Sequence, residues 1–138
     1  MRTVLIFGLA LAACLAGGPG ARAQAQNEFD QLVATSGATN GAAQACGATP
    51  QALASHKEVM LANLRRYAAE FGYSAGQLAP VFEQGRDKGR HMMLDMRQRG
   101  VDGCTGVMSG FRQEQAMGYE AMKQAIGEIT DGLPEPGR

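Results

Sequence analysis

The chain contains no tryptophan, and aromatic residues make up only 6% of it. Its core cannot rest on many large rings and has to be filled by aliphatic, methionine and small side chains. Histidine occurs twice and cysteine three times, so general bases and metal ligands have few candidates. The 13 basic residues are matched by 13 acidic ones, and nothing in this balance calls for a nucleic-acid partner. H-E-x-x-H, the P-loop and the haem-attachment C-x-x-C-H are absent. The expectation is therefore a chain without a catalytic motif, catalytic residues or a cofactor. Strand-like alternation, internal repeats and low-complexity blocks are also missing. At 138 residues the chain is one domain's worth of material.

Residues 1–23 have the three parts of a secretory signal peptide. Arg2 gives the charged start, Val4 to Ala16 is a continuous apolar run, and Ala21-Arg22-Ala23 is a small-x-small cleavage pattern. The run is too short to span a bilayer as a helix, so the mature chain is expected to have no transmembrane segment. Leu11-Ala12-Ala13-Cys14 resembles a lipobox, but it comes early and the apolar run continues past it. Cleavage after Ala23 is the preferred reading, and it implies a periplasmic or secreted protein. It removes Arg2 and Arg22 but no acid, leaving a net charge of about −2. That charge calls for neither a nucleic-acid nor an anionic-membrane partner.

The cleaved chain keeps Cys46 and Cys104, and two remaining cysteines in an exported protein are expected to pair. Such a bridge closes a loop of roughly 60 residues, which the chain-entropy model values at about 4 kcal/mol.

Helical periods occupy the rest, 24–129, before a tail, 130–138, rich in Gly and Pro that reads as disordered. Asn27 is a candidate N-cap for a segment with Phe29, Leu32 and Val33 on one side, which Gly37, Asn40 and Gly41 interrupt. One bent helix and two short ones are both compatible with that interruption. Thr49 followed by Pro50 marks the start of the next helix and Gly72 its end. Ser74 with Gln77 fits a capping box for a third helix reaching Arg99, with Gly100 as its stop. Pro80 conflicts with a start at Ser74 and predicts a kink there or a later start. On this helix Leu78, Val81, Phe82, Gly85, Gly89, Met92, Met93 and Met96 share an apolar arc of roughly 120°. Gly85 and Gly89 on that arc predict close approach of another backbone. From Asp102 a last helix is expected to run to Ile129, with Cys104 on its inner face. The pattern predicts an all-α fold, a small antiparallel up-and-down bundle of about four helices with one disulfide.

Candidate sites are sparse. His91 with Met92, Met93 and Met96 is similar at short range to clusters that hold Cu(I), since thioethers suit that ion. His91 lies off the methionine face, however, and seven methionines in the mature chain read more simply as a deformable core or an adaptable groove. Arg86, Arg90 and Arg97 share a polar face and form a candidate anion or partner patch, with Glu83 and Asp87 alongside. His56 sits near the apolar face of its helix and is expected to be partly buried with a hydrogen-bond partner. The leading expectation is a non-enzymatic module of chaperone, inhibitor or immunity type that binds another protein through a methionine-containing groove. The alternatives are a Cu(I) or small-ligand carrier and a structural or stress-response envelope protein without a ligand. Oligomeric state is not encoded legibly.

Overall fold

The computed structural model describes residues 19–130, so most of the expected signal segment, the Cys14 lipobox and the tail from 131 lie outside the described residues. The described chain is all-helical: α1 is Pro19–Ala45, α2 Pro50–Phe71, α3 Leu78–Gln98, α4 Cys104–Gln115 and α5 Tyr119–Thr130. Pro19 to Gln24 are exposed, and the first buried residue of α1 is Ala25, two positions after the expected cleavage site.

α1 continues unbroken through Gly37, Asn40 and Gly41, where the sequence predicts an interruption. The reason is tertiary. A Cβ on Gly37 or Gly41 would lie 2.0 or 1.9 Å from the carbonyl oxygen of Phe82 or Arg86, and one on Gly85 or Gly89 would lie 2.0 or 2.2 Å from that of Ala34 or Ala38. The two helices therefore touch backbone to backbone through a G-x-x-x-G pair on each. Contacts advance in the same direction along both, so α1 and α3 run parallel. Glycine Cα–H groups aimed at facing carbonyls supply weak hydrogen bonds that accompany such close packing. The helical propensity that glycine lacks, about 1 kcal/mol per residue, is offset by contact no larger residue permits.

α2 follows the sequence signals closely. Thr49 Oγ1 accepts from Ala52 N–H at 3.1 Å, Pro50 opens the helix, and Gly72 ends it at φ 80°. α3 starts later than the Ser74 cap predicts. It begins at Leu78 with no side-chain cap, which places Pro80 in the first turn, where a missing N–H costs no intrahelical bond. Ser74 is held elsewhere: its N–H donates to Gln26 Oε1 at 2.8 Å and its carbonyl accepts from Gln26 Nε2 at 3.1 Å. These bonds fix the α2–α3 loop on α1. Below them Phe29 stacks on Tyr73 at 4.7 Å, and Tyr67 tilts against Phe71 at 4.4 Å.

The expected last helix is two helices. It breaks at Ala116 to Gly118, where Asn63 Nδ2 donates to the Met117 carbonyl at 3.0 Å and the Met122 N–H returns to the Gly118 carbonyl. The apolar spacing runs on across the break, which is why periodicity alone does not reveal it. The Cys46–Cys104 disulfide is present, with Cα atoms 5.5 Å apart, and joins the end of α1 to the start of α4.

Candidate functional site

The α5 backbone lies close to α2, its Tyr119, Met122 and Ile126 join the core cluster that includes Phe29 and Val33, and a cleft opens between part of α5 and the walls of α1 and α4. The cleft has a volume of about 290 Å³, near the lower limit of small-ligand pockets. Leu32, Thr35 and Ser36 form its α1 wall, and Gly110, Gln113 and Glu114 its α4 wall. Met122, Ala125, Ile126 and Ile129 come from α5, Met117 from the break, and Met60 from α2. Met60, Met122 and Ile126 are buried, whereas Ile129 at the rim is 80% exposed. Gly110 leaves its position open, since a Cβ there meets nothing within 4 Å. The result is an apolar recess whose lining includes three flexible thioether side chains.

One wall is held by a buried polar network. His56 is fully buried, deeper than the sequence predicts, between Phe111 at 4.7 Å and Phe82 at 6.4 Å. Asn40 Nδ2 lies 3.0 Å from the Leu53 carbonyl and 3.0 Å from His56 Nδ1. The carbonyl can only accept, so it fixes the Asn40 amide with Nδ2 inward, and His56 Nδ1 is the acceptor. The proton then sits on Nε2, which donates to Glu114 Oε2 at 2.7 Å. This chain of bonds ties α1, α2 and α4 together and orients the Glu114 carboxylate at the cleft wall. His56 itself has no solvent access, and its two ring nitrogens are both engaged in bonds within the chain. The sequence signal for this network is limited to His56 itself, because its partners come from a stretch read as an interruption and from a polar position of α4.

A second network docks α5. Glu70 accepts from both Tyr119 Oη and Lys123 Nζ, and Arg66 lies over the Tyr119 ring at 4.0 Å. The Lys123 and Tyr119 bonds hold the Glu70 carboxyl below its ordinary value of 4.5. Burial, reinforced by the Glu70 bond, pushes the Tyr119 phenol above 10.0, and the same carboxylate raises Lys123 above 10.5. A lowered carboxylate contributes stability above its unfolded value that is lost as pH falls through the folded one; the raised groups contribute below theirs and lose it as pH rises. α5 docking should thus be flat between pH 4.5 and 10.0 and weaken on both sides. Thermal unfolding across pH checks this: Glu70→Gln should shrink both limbs, and an unchanged profile would rule the clamp out as their source.

The other candidates are dispersed. His91 is exposed, Met92 is 61% exposed, Met93 is buried and Met96 half-buried, so the four donors are not gathered on one face. Met92 departs from the predicted core stripe because the buried residues of α3, Leu78, Phe82, Gly85, Gly89 and Met93, centre about 20° round from the middle of that arc, which leaves Met92 about 60° away on the wheel. The methyl ends of Met93 and Met96 lie over Gly103. Among the described residues no group of three His, Cys, Asp or Glu side chains is placed to hold a metal ion. The arginines also have separate partners. Arg86 pairs with Glu83, which in turn pairs with Lys57 at 2.5 Å, and Arg97 donates to the Ala45 carbonyl at 2.6 Å at the end of α1. Arg90 is half-buried beside the Gly41 contact.

The expectation of no catalytic motif needs one correction. Gly72-Tyr73-Ser74-Ala75-Gly76 spells the G-x-S-x-G of hydrolase nucleophile elbows. That motif works at a strand-to-helix turn with a histidine in reach. Here it lies between two helices, both backbone groups of Ser74 are bonded to Gln26, and its Oγ takes the Gly76 N–H at 3.5 Å. The elbow geometry is absent.

No protein-family model, no curated protein and no solved structure matches the chain.

Proposed function

From the fold and its cleft, we propose that the protein is a non-catalytic binding module of an exported compartment, and that it receives an apolar segment of a protein partner between α1, α4 and α5. The observation that carries this reading is the cleft itself: Met60, Met117 and Met122 line a recess that opens beside the unfilled Gly110 position and the exposed Ile129. Methionine side chains repack around different apolar shapes, so such a surface accepts a partner without reordering its backbone. The disulfide, and a first buried residue just past a small-x-small sequence, support export. Among the described residues no helix is long and apolar enough to cross a membrane.

Gly110→Leu separates binding from folding. Its side chain enters open space on α4 and gains up to about 1 kcal/mol of helix propensity, so thermal stability should be equal or higher. A photo-crosslinking residue at Ile129 should trap a partner in the parent chain, and Gly110→Leu should abolish the trapped species. Crosslinks that persist unchanged in Gly110→Leu would sink the cleft as the binding surface.

A further inference from the structure

Among the described residues that line the cleft, Glu114 is the single ionisable one. Its Oε2 is held by His56 Nε2–H, and His56 Nδ1 accepts from Asn40, so the imidazole offers Glu114 one N–H and no ammonium-like partner. The other carboxylates that bridge helices are each matched by a cation: Glu83 by Lys57 and Arg86, Glu70 by Lys123, Glu120 by Arg66. Among the described residues Glu114 has no lysine or arginine partner. A fixed carboxylate at the edge of an apolar recess, without a lysine or arginine partner among the described residues, is complementary to an apolar ligand that brings its own cation.

We propose that the occupant is a basic amphipathic helix of another polypeptide, its apolar face against Leu32, Met117 and Ile129, which stay accessible at the cleft, and a lysine or arginine one turn away directed to Glu114. The inference rests on the binding reading above and adds the partner's chemistry. Met122 to Ile129 form an α5 wall of two turns, about 10 Å, which matches anchors spaced i, i+3 and i+7 on a docked helix. The open Gly110 position lets that helix approach α4 closely.

The test uses the mature chain and two synthetic helical peptides of equal length, one of leucine and lysine, the other of leucine and glutamate, titrated by fluorescence anisotropy. The lysine peptide should bind at least about tenfold more tightly, with an affinity that falls as salt rises. Glu114→Gln keeps an acceptor for His56 and removes the charge, and should cost the lysine peptide about tenfold while flattening its salt dependence. Gln113→Lys supplies an internal cation next to Glu114 without touching the His56 bond. It should weaken the same peptide, so the question stays answerable if Glu114→Gln unfolds. Equal binding of both peptides, blocked by Gly110→Leu but insensitive to Glu114→Gln and Gln113→Lys, would overturn the charge assignment and leave the cleft standing. Binding indifferent to Gly110→Leu, or no binding by either peptide, would overturn both.

Discussion

Gly41→Ala should destabilise the protein by more than the roughly 3 kcal/mol that bounds ordinary overpacking. The added methyl would sit 1.9 Å from the Arg86 carbonyl oxygen and 2.8 Å from its carbon. Neither atom can rotate away, because both belong to the α3 backbone. The helices would have to separate along their length, and Gly37, Gly85 and Gly89 would lose their contacts together. The substitution does gain helix propensity of about 1 kcal/mol, so the measured loss is net of that gain. Gly110→Ala is the matched control: the chemistry and propensity gain are the same, nothing lies within 4 Å, and stability should rise by up to about 1 kcal/mol. Urea unfolding of the two variants against the parent gives opposite signs if the α1–α3 contact is what makes these glycines necessary. Losses of similar size in both would show that the contact is not tight.

The second large effect is expected from the disulfide. Its ends are 58 positions apart and the ring it closes contains α2 and α3. Opening it should lower the unfolding free energy by up to about 4 kcal/mol, mostly by enlarging the unfolded ensemble. The native helices should survive at low temperature, because α4 is also held through Glu114 and His56 and through Phe111 against that imidazole. A Cys46→Ser, Cys104→Ser double variant should therefore show the parent's helical circular dichroism in buffer but unfold at markedly lower denaturant. A midpoint equal to the parent's would mean that the bridge adds nothing to a fold already closed by packing. Loss of helix before any denaturant would mean that α4 has no other attachment.

The parts legible in the sequence were those decided within a few residues. Thr49, Pro50 and Gly72 delimit α2 because cap chemistry is local. Pairing of Cys46 with Cys104 follows from counting, and Gly85 and Gly89 announce a close neighbour by lying on a buried face. The parts not legible depend on residues far apart. Gly37 and Gly41 read as helix breakers until α3 is seen against them, and Ser74 reads as a cap until Gln26 takes both its backbone groups. The cleft has no signature of its own. Met60, Met117 and Met122 come from three separate segments, and a break at Gly118 that periodicity does not mark sets their convergence. Glu114 looks like one more solvated acid until His56 is found behind it.

The peripheral place of α5, whose backbone comes close to α2, has a consequence for the order in which the molecule opens. Tyr119, Met122 and Ile126 bury this helix, and Glu70 and Arg66 grip it at its first turn, whereas Ile129 near its far end is exposed. A peripheral helix of this kind should form its own cooperative unit, with an opening free energy below that of the whole chain. Its amides would exchange with solvent from the C-terminal end inward while those of α1 and α3 remain protected. One wall of the recess would then behave as a leaf hinged at Gly118, and occupancy would be registered as slowed exchange along α5.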